Sequence, residues 1–204
     1  MAWVRLLGED EVSGELRARY EADLHNLGFV MEATRALSPN PDLAVAVESF
    51  EAAVKRTSHL TARDRRLIHL LVAHHIGSPY CVLVYASALE RDLGGLKGIS
   101  AVLADYRTAP GLSPREQAML DYALAAAAGH PSVEHVERLR REGLDDAAIV
   151  DVAVTACLRL FGSRVYDALG VETDPFFLEQ TDLVEATGGS GSLSTSRAAK
   201  AQAG

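Results

Sequence analysis

The sequence of 204 residues has few aromatic side chains, 6% of the total, and an excess of acids over bases. It contains 20 lysines and arginines against 28 aspartates and glutamates, which gives a formal net charge of −8 at pH 7. A nucleic-acid or anionic-membrane surface needs clustered positive charge, and a single-strand platform also needs stacking aromatics. The composition therefore argues against nucleic-acid and membrane partners.

Cysteine is equally scarce, because Cys81 and Cys157 are the only two in the sequence. Two cysteines form neither a disulfide framework nor a four-cysteine zinc site. No apolar run reaches the roughly 18 residues of a transmembrane helix, and the first residues turn acidic before any targeting-type apolar core forms. The sequence also lacks phosphate-binding glycine motifs and the G-x-S-x-G motif. We therefore expect a cytoplasmic protein without a cofactor.

What the sequence does contain is typical of a globular helical protein, with 48% hydrophobic and 24% charged residues. Amphipathic spacing between well-separated glycines and prolines predicts helices over 13–27, 42–54, 61–76, 79–93, 113–128, 132–142 and 145–169. The alternating valines of 150–154 fit a strand, but the length of their segment favours a helix. We predict one all-α domain over 1–184 and a disordered tail rich in glycine and serine over 185–204.

Two helix starts resemble each other. Thr61 precedes Asp64 by three residues, and Ser113 precedes Glu116 by three. In each, the hydroxyl can accept the backbone N–H of the acid while the carboxylate accepts that of the hydroxyl residue, which is a capping box. The similarity fits either two ordinary helix starts or a duplicated helical unit.

One segment suggests chemistry. Ser78 suits the N-cap and Pro79 the first position of a helix, which places Cys81 at the third position. The positive end of the helix dipole and the free backbone N–H groups favour a thiolate there. Ser78 and Tyr85 lie within reach of the sulfur along the same helix. The alternative is that Cys81 is a small buried hydrophobe, which is common for free cysteine.

At these residues the sequence resembles the alkylhydroperoxidase AhpD and carboxymuconolactone decarboxylase family. In that family a helix reading R-E-L-I runs into G-C-P-Y-C, and a histidine follows one turn later. The matching stretch here lies within 65–95 and reads R-R-L-I, then G-S-P-Y-C, then Tyr85. Similarity to the peroxidase-related branch extends over about 12–176. The resemblance implies an AhpD-like helical bundle, thiol peroxidase chemistry and assembly as a homo-dimer, trimer or hexamer.

The departures from this motif concern the catalytic positions. The family pairs two cysteines as C-x-x-C, with a glutamate twelve residues before the first and a histidine four after the second. Arg66, Ser78 and Tyr85 stand at these three positions here, so only Cys81 remains to attack a peroxide. Without a resolving cysteine, oxidised Cys81 would need an external thiol as reductant. Cys157 would serve instead only if the fold brought the two residues within about 7 Å.

Further candidates come from the neighbouring residues. His74 and His75 end the helix before the motif and would act as a proton shuttle, since histidine titrates near neutral pH. Metal binding is disfavoured, because His69, His74 and His75 are not spaced three or four residues apart. The alternative for the histidines and for Arg66 is a structural or solvated position. We therefore predict a site made of catalytic residues and substrate-binding residues, which are Cys81, Ser78, Tyr85, His74 and His75 for catalysis and Arg66 and Tyr80 for binding.

Three functions remain open at this point. The first is a one-cysteine, thiol-dependent hydroperoxide reductase, an antioxidant oxidoreductase that uses an external thiol. The second is a decarboxylase-like acid–base enzyme in which Arg66 grips a small carboxylated metabolite. The third is a non-catalytic member that binds a ligand or serves in an assembly.

Overall fold

The computed structural model describes residues 2–189, which contain helices and no strand. The all-α prediction is confirmed, and the ambiguous segment 150–154 lies inside a long helix. In chain order the helices are α1 (Gly14–Leu27), α2 (Glu32–Arg35), α3 (Pro41–Thr57), α4 (Ala62–His75), α5 (Pro79–Leu89), α6 (Leu96–Asp105), α7 (Pro114–Ala128), α8 (Val133–Arg141), α9 (Asp146–Leu169), α10 (Pro175–Leu178) and α11 (Thr181–Ala186).

The seven helices predicted from spacing correspond to α1, α3, α4, α5, α7, α8 and α9. Four further helices were missed. Three of them, α2, α10 and α11, have four to six residues, which is too short for an amphipathic period. The fourth, α6, begins directly after the pair Gly94 and Gly95, which we interpreted only as a break in the chain.

The chain forms two compact units. Of the described residues, the first contains 2–57 and 164–174, and the second contains 58–163 and 175–189. Helix α9 therefore contributes its residues through Ser163 to the second unit. Whether 1–184 behaves as a single domain stays a prediction.

The first unit is built around a small apolar cluster between α1 and α3. A buried carboxylate shapes the turn after α1, because Asp23 accepts the backbone N–H of Met31 at 3.2 Å and the hydroxyl of Thr34 at 2.6 Å. A buried charge is tolerated only when hydrogen bonds replace its water. The buried members of the cluster are Val12, Leu16, Tyr20, Val30 and Ala44.

In the second unit, α4 and α5 form a helical hairpin that is closed by a tight turn. Gly77 has a φ of 69°, the left-handed conformation that favours glycine. Its N–H donates to the carbonyl of His74 at 3.1 Å, and the N–H of Ser78 donates to that of Ala73 at 2.9 Å. These two bonds form a Schellman motif, which ends α4. Helix α5 begins two residues after Gly77, at Pro79.

Both predicted capping boxes are present. The hydroxyl of Thr61 accepts the N–H of Asp64 at 3.0 Å, and the Asp64 carboxylate accepts the N–H of Thr61 at 3.0 Å. At the start of α7, Ser113 and Glu116 exchange the same pair of bonds, at 3.2 and 2.8 Å. Each box satisfies two backbone donors that a helix start otherwise leaves open.

The two boxes are also bonded to each other. Arg63 on α4 donates to the Glu116 carboxylate at 2.7 Å, and Arg115 on α7 donates to the Asp64 carboxylate at 3.0 Å. In each box the arginine immediately precedes the capping acid, so the two interactions are equivalent by sequence position. This reciprocal box pair favours the duplicated helical unit over two unrelated helix starts.

The start of the tail is ordered, contrary to our expectation of disorder from residue 185. Helix α11 continues through Ala186, and the buried Thr187 donates its hydroxyl to the carbonyl of Leu183 at 3.0 Å. The hydroxyl of Ser100 donates to the carbonyl of Ala186 at 2.9 Å. The expectation is therefore wrong for 185–189, and residues 190–204 lie outside the described part.

Within residues 2–189, no helix has the length and apolar character needed to span a bilayer.

The reciprocal box pair predicts a specific response to acid. Burial raises the pKa of Glu116, but hydrogen bonds from Arg63 and Ser113 outweigh it and hold this pKa below its ordinary value of 4.5. A carboxylate with a lowered folded-state pKa contributes stability above its unfolded pKa and loses it as the pH falls through the folded value. Glu116→Gln should therefore cost about 1–3 kcal/mol of unfolding free energy at pH 7.

Urea unfolding from pH 7 down to pH 3 measures this effect. The variant should approach the wild type at the acid end, because protonation removes the same charge there. Glu137→Gln, at an exposed position of α8, is the matched control. An equal loss of stability in Glu116→Gln at every pH would contradict the proposed role of the charge.

Candidate functional site

The site is built around the thiol of Cys81. Helix α5 begins at Pro79 with Ser78 as N-cap, as predicted, and Cys81 is its third residue. The Ser78 side chain makes no capping hydrogen bond, and both Ser78 and Cys81 are buried. The sulfur is therefore held at the positive end of α5, and only 2% of Cys81 is exposed.

A hydrogen bond to the sulfur comes from α9. The hydroxyl of Ser163, which is 0% exposed, donates to Sγ of Cys81 at 3.4 Å. Sequence reasoning expected Ser78 or Tyr85 to meet the sulfur. A hydrogen bond donated to sulfur favours negative charge on it, because the donor dipole points its positive end at the atom.

A buried arginine connects this serine to the tyrosine of the motif. Arg159 donates through Nε to Oγ of Ser163 at 3.1 Å and through Nη1 to the phenol oxygen of Tyr85 at 3.0 Å. Its guanidinium carbon also lies 5.5 Å from the centroid of the Tyr85 ring. Arg159 is 8% exposed, so these contacts form in an environment where water screens them little.

The ring of Tyr85 also contacts a histidine. The His69 ring stacks on the Tyr85 ring with centroids 4.7 Å apart and an interplanar angle of 22°. For His69 we disfavoured metal binding and gave a structural or solvated position as the alternative. The structure places it in this aromatic pair.

Sequence analysis missed Arg159 and Ser163, although α9 carries a signal for them. Its buried face includes Val152 and Ala156, and the same period of three and four residues continues to Arg159 and Ser163. Thr155 is buried on the same face, four residues before Arg159. A charged residue on a core-facing stripe is rare unless it is paired, and this is the pattern that identifies it.

The other four predicted residues differ in their exposure. His74 and His75 are exposed at the end of α4, where partial burial and the nearby charge of His75 lower the pKa of His74. Arg66 is exposed and lies 3.8 Å from the carboxylate of Asp92. Tyr80 is buried one residue before Cys81.

The second cysteine is separated from the first. Cys157 is exposed and Cys81 is buried, and both are free thiols. On an α-helix, residues two positions apart in sequence are separated by about 200° around the axis. Cys157 and Arg159 therefore project from nearly opposite sides of α9. Since Arg159 and Ser163 face Cys81, Cys157 faces away from it. The sequence left open whether Cys157 could resolve an oxidised Cys81, and this arrangement does not allow it.

Within residues 2–189, no group of three or more histidine, cysteine, aspartate or glutamate side chains is arranged to hold a metal ion.

Comparison by sequence finds no matching protein-family model and no significant relative among curated proteins. Comparison by structure does find similar proteins. A peroxidase-related protein from Ralstonia eutropha JMP134, described as an alkylhydroperoxidase AhpD core, matches with a TM-score of 0.78 at 22% identity, over 86% of this chain and 94% of its own. A peroxidase-related protein from Silicibacter sp. TM1040 matches with a TM-score of 0.71 at 22% identity, over 81% and 90%.

A third similar structure is a variant of the debrominase Bmp8 in which a cysteine is replaced by alanine, in complex with 2,3,4-tribromopyrrole. It matches with a TM-score of 0.75 at 20% identity, over 90% of this chain and 97% of its own. At these identities the likeness concerns the fold. The protein therefore has the AhpD-like helical fold, as the sequence motif predicted.

The separation of the two cysteines predicts that oxidation forms no disulfide between them. Treatment of the native protein with diamide should leave the monomer without an internal crosslink, because the sulfurs lie on different sides of α9 and differ in burial. Intact-mass analysis under non-reducing conditions measures this. A loss of two hydrogens within one chain, mapped to the peptides of Cys81 and Cys157, would contradict the arrangement.

Proposed function

We propose that the protein is a member of the AhpD-like family and acts as a one-cysteine, thiol-dependent hydroperoxide reductase with Cys81 as its nucleophile. The observation that carries the proposal is the buried thiol at the start of α5, which receives a hydrogen bond from Ser163 at 3.4 Å. A thiol reacts as its thiolate, and the Ser163 hydroxyl supplies a hydrogen-bond donor to this sulfur. The fold of the peroxidase-related proteins supports the same chemistry.

The reaction at Cys81 is a two-electron transfer. The thiolate attacks the terminal oxygen of a hydroperoxide, so that an S–O bond forms while the O–O bond breaks. The sulfur becomes a sulfenic acid, and the peroxide is reduced to an alcohol. The alkoxide that leaves takes up one proton, which balances the proton that the thiol gave up.

Tyr85 is the candidate donor of that proton. It lies one helical turn after Cys81, and its phenol oxygen accepts a hydrogen bond from Arg159 at 3.0 Å. An oxygen that already accepts from a guanidinium directs its own proton to another acceptor. The exposed His74 and His75 are less suited to this role than Tyr85.

An external thiol completes the cycle. One thiol condenses with the sulfenic acid to give a mixed disulfide and water, and a second thiol releases Cys81 by forming a disulfide with the first. Cys157 does not replace either of them, because it is exposed on the opposite side of α9. The small-molecule substrate, homo-oligomeric assembly and cytoplasmic location stay predictions from the sequence.

A second candidate function is the removal of halogen from an aromatic ring. It is favoured by the match to the debrominase Bmp8, whose alanine variant binds 2,3,4-tribromopyrrole. The aromatic pair of His69 and Tyr85 would suit a flat substrate. Bromide release from a brominated pyrrole in the presence of an external thiol distinguishes this activity from peroxide reduction.

The acid–base alternative has less support. It required Arg66 to hold a carboxylate near the site, and Arg66 is exposed beside Asp92. The guanidinium that lies near Cys81 belongs to Arg159 instead. The non-catalytic alternative is addressed by the assay below.

The proposal predicts that Cys81→Ser abolishes thiol-dependent consumption of cumene hydroperoxide, because the attacking sulfur is removed. Cys157→Ser should keep the wild-type rate and serves as the matched control. A sulfenic acid at Cys81 should be trapped by dimedone and located by peptide mass spectrometry. Equal consumption by both variants, or the lack of a Cys81 adduct in active protein, would contradict the proposal.

The role of Tyr85 gives a separate prediction. Tyr85→Phe should lower the rate of sulfenic acid formation about 100-fold at pH 7, since a positioned general acid contributes roughly 10²–10⁴-fold. The ring and its stacking on His69 are kept, so the folded state should survive. A single-turnover reaction with excess hydroperoxide measures the rate. The loss should shrink with a peroxy acid, whose leaving carboxylate needs no proton, and an undiminished loss would contradict proton donation.

A further inference from the structure

We propose that Arg159 is a positioning residue for the Cys81 thiol, which acts by fixing the direction of the Ser163 hydroxyl. The inference rests on the proposed function of Cys81. It adds a residue that the family motif does not contain, because Arg159 lies on α9, far from the motif in sequence.

The first step of the argument is the geometry of a serine hydroxyl. Ser163 has one proton to donate, and rotation about its Cβ–Oγ bond decides where that proton points. Nε of Arg159 donates to Oγ at 3.1 Å, which occupies an acceptor position of the oxygen. The proton is then directed at Sγ of Cys81, 3.4 Å away. Without the guanidinium, the hydroxyl could turn round and accept from the thiol instead.

The second step is the double attachment of the guanidinium. Arg159 holds Ser163 on its own helix and Tyr85 on α5 at the same time. Its N–H groups are arranged in a rigid planar fork, so one bond determines the direction of the other. A lysine carries the same charge without that fork. One side chain therefore orients both hydroxyls, that of Ser163 and that of Tyr85.

The third step is burial. Arg159 is 8% exposed and Ser163 is 0% exposed, so the hydrogen bonds between them are little weakened by water. An arginine side chain keeps its charge in proteins at all ordinary pH values. The direction of the Ser163 hydroxyl is thus maintained across the pH range in which a thiol titrates.

The test compares variants in a Cys157→Ser background, so that only Cys81 reacts. Arg159→Lys keeps the charge, Arg159→Gln removes it, and Ser163→Ala leaves the arginine but breaks its link to the sulfur. Arg138→Lys, on α8 and hydrogen-bonded to Asp121, is the matched arginine control. Each protein is alkylated with iodoacetamide and with iodoacetate from pH 5 to pH 10, and its melting temperature is measured.

We expect Arg159→Lys, Arg159→Gln and Ser163→Ala to react about tenfold more slowly with iodoacetamide at pH 7, with profiles displaced to higher pH. A factor of ten corresponds to a single charge-assisted hydrogen bond of about 1.4 kcal/mol. Iodoacetate is an anion and iodoacetamide is neutral, so the positive charge of Arg159 should favour reaction with iodoacetate. The ratio of the iodoacetate rate to the iodoacetamide rate should therefore fall in Arg159→Gln and be kept in Arg159→Lys. Arg138→Lys should match the wild type. A purely structural role would lower the melting temperature without displacing the profile.

Profiles of folded Arg159→Lys and Arg159→Gln that coincide with the wild type would overturn the inference. If both arginine variants fail to fold, Ser163→Ala decides, because an unchanged profile there also overturns it. The proposed function fails separately: wild-type Cys81 would then be alkylated with the expected dependence on Arg159 but would give no sulfenic acid with hydroperoxide.

Discussion

The reciprocal pairing of two helix starts is the interaction on which the second unit depends. Arg63 bonds to the capping acid of α7, and Arg115 bonds to that of α4. Both acids are buried and also cap their own helices, so each carboxylate performs two tasks at once. Removing one partner would leave the other without its hydrogen bonds, which costs about 1–3 kcal/mol. Specific pairing of this kind fixes the register of α4 against α7.

The pairing of α4 with α7 also positions the thiol, because one tight turn joins α4 to α5. Helix α4 is anchored at its start by the reciprocal box pair and ends in the Schellman motif at Gly77, after which α5 begins at Pro79. Cys81 is thus held at a defined place relative to α4. The residues of α9 up to Ser163 then supply the hydroxyl and the guanidinium that face it. All of these groups lie within one compact unit.

The fold was largely accessible from the sequence, whereas the site was accessible only in part. Capping residues and amphipathic periods are local signals, which is why the boxes at Thr61 and Ser113 and the N-cap at Ser78 were predicted correctly. Contacts across helices are not local. The bonds from Ser163 to Cys81 and from Arg159 to Tyr85 join residues more than 70 positions apart. Only the charge on the buried face of α9 hinted at them, and periodicity alone does not name a partner.

The sequence departs from the family motif at three positions, and side chains of α9 contact the motif residues Cys81 and Tyr85. The resembled family places its proton relay and its second thiol on the elements that carry the C-x-x-C motif. Here those positions hold Arg66, Ser78 and Tyr85, and Arg66 is exposed. The groups that meet Cys81 and Tyr85 come from Ser163 and Arg159 instead. Hydroxyls oriented by a guanidinium can polarise a thiol and deliver a proton, but they cannot form a disulfide with it. In the proposed reductase, the reduction of oxidised Cys81 would therefore depend on a thiol from outside the chain.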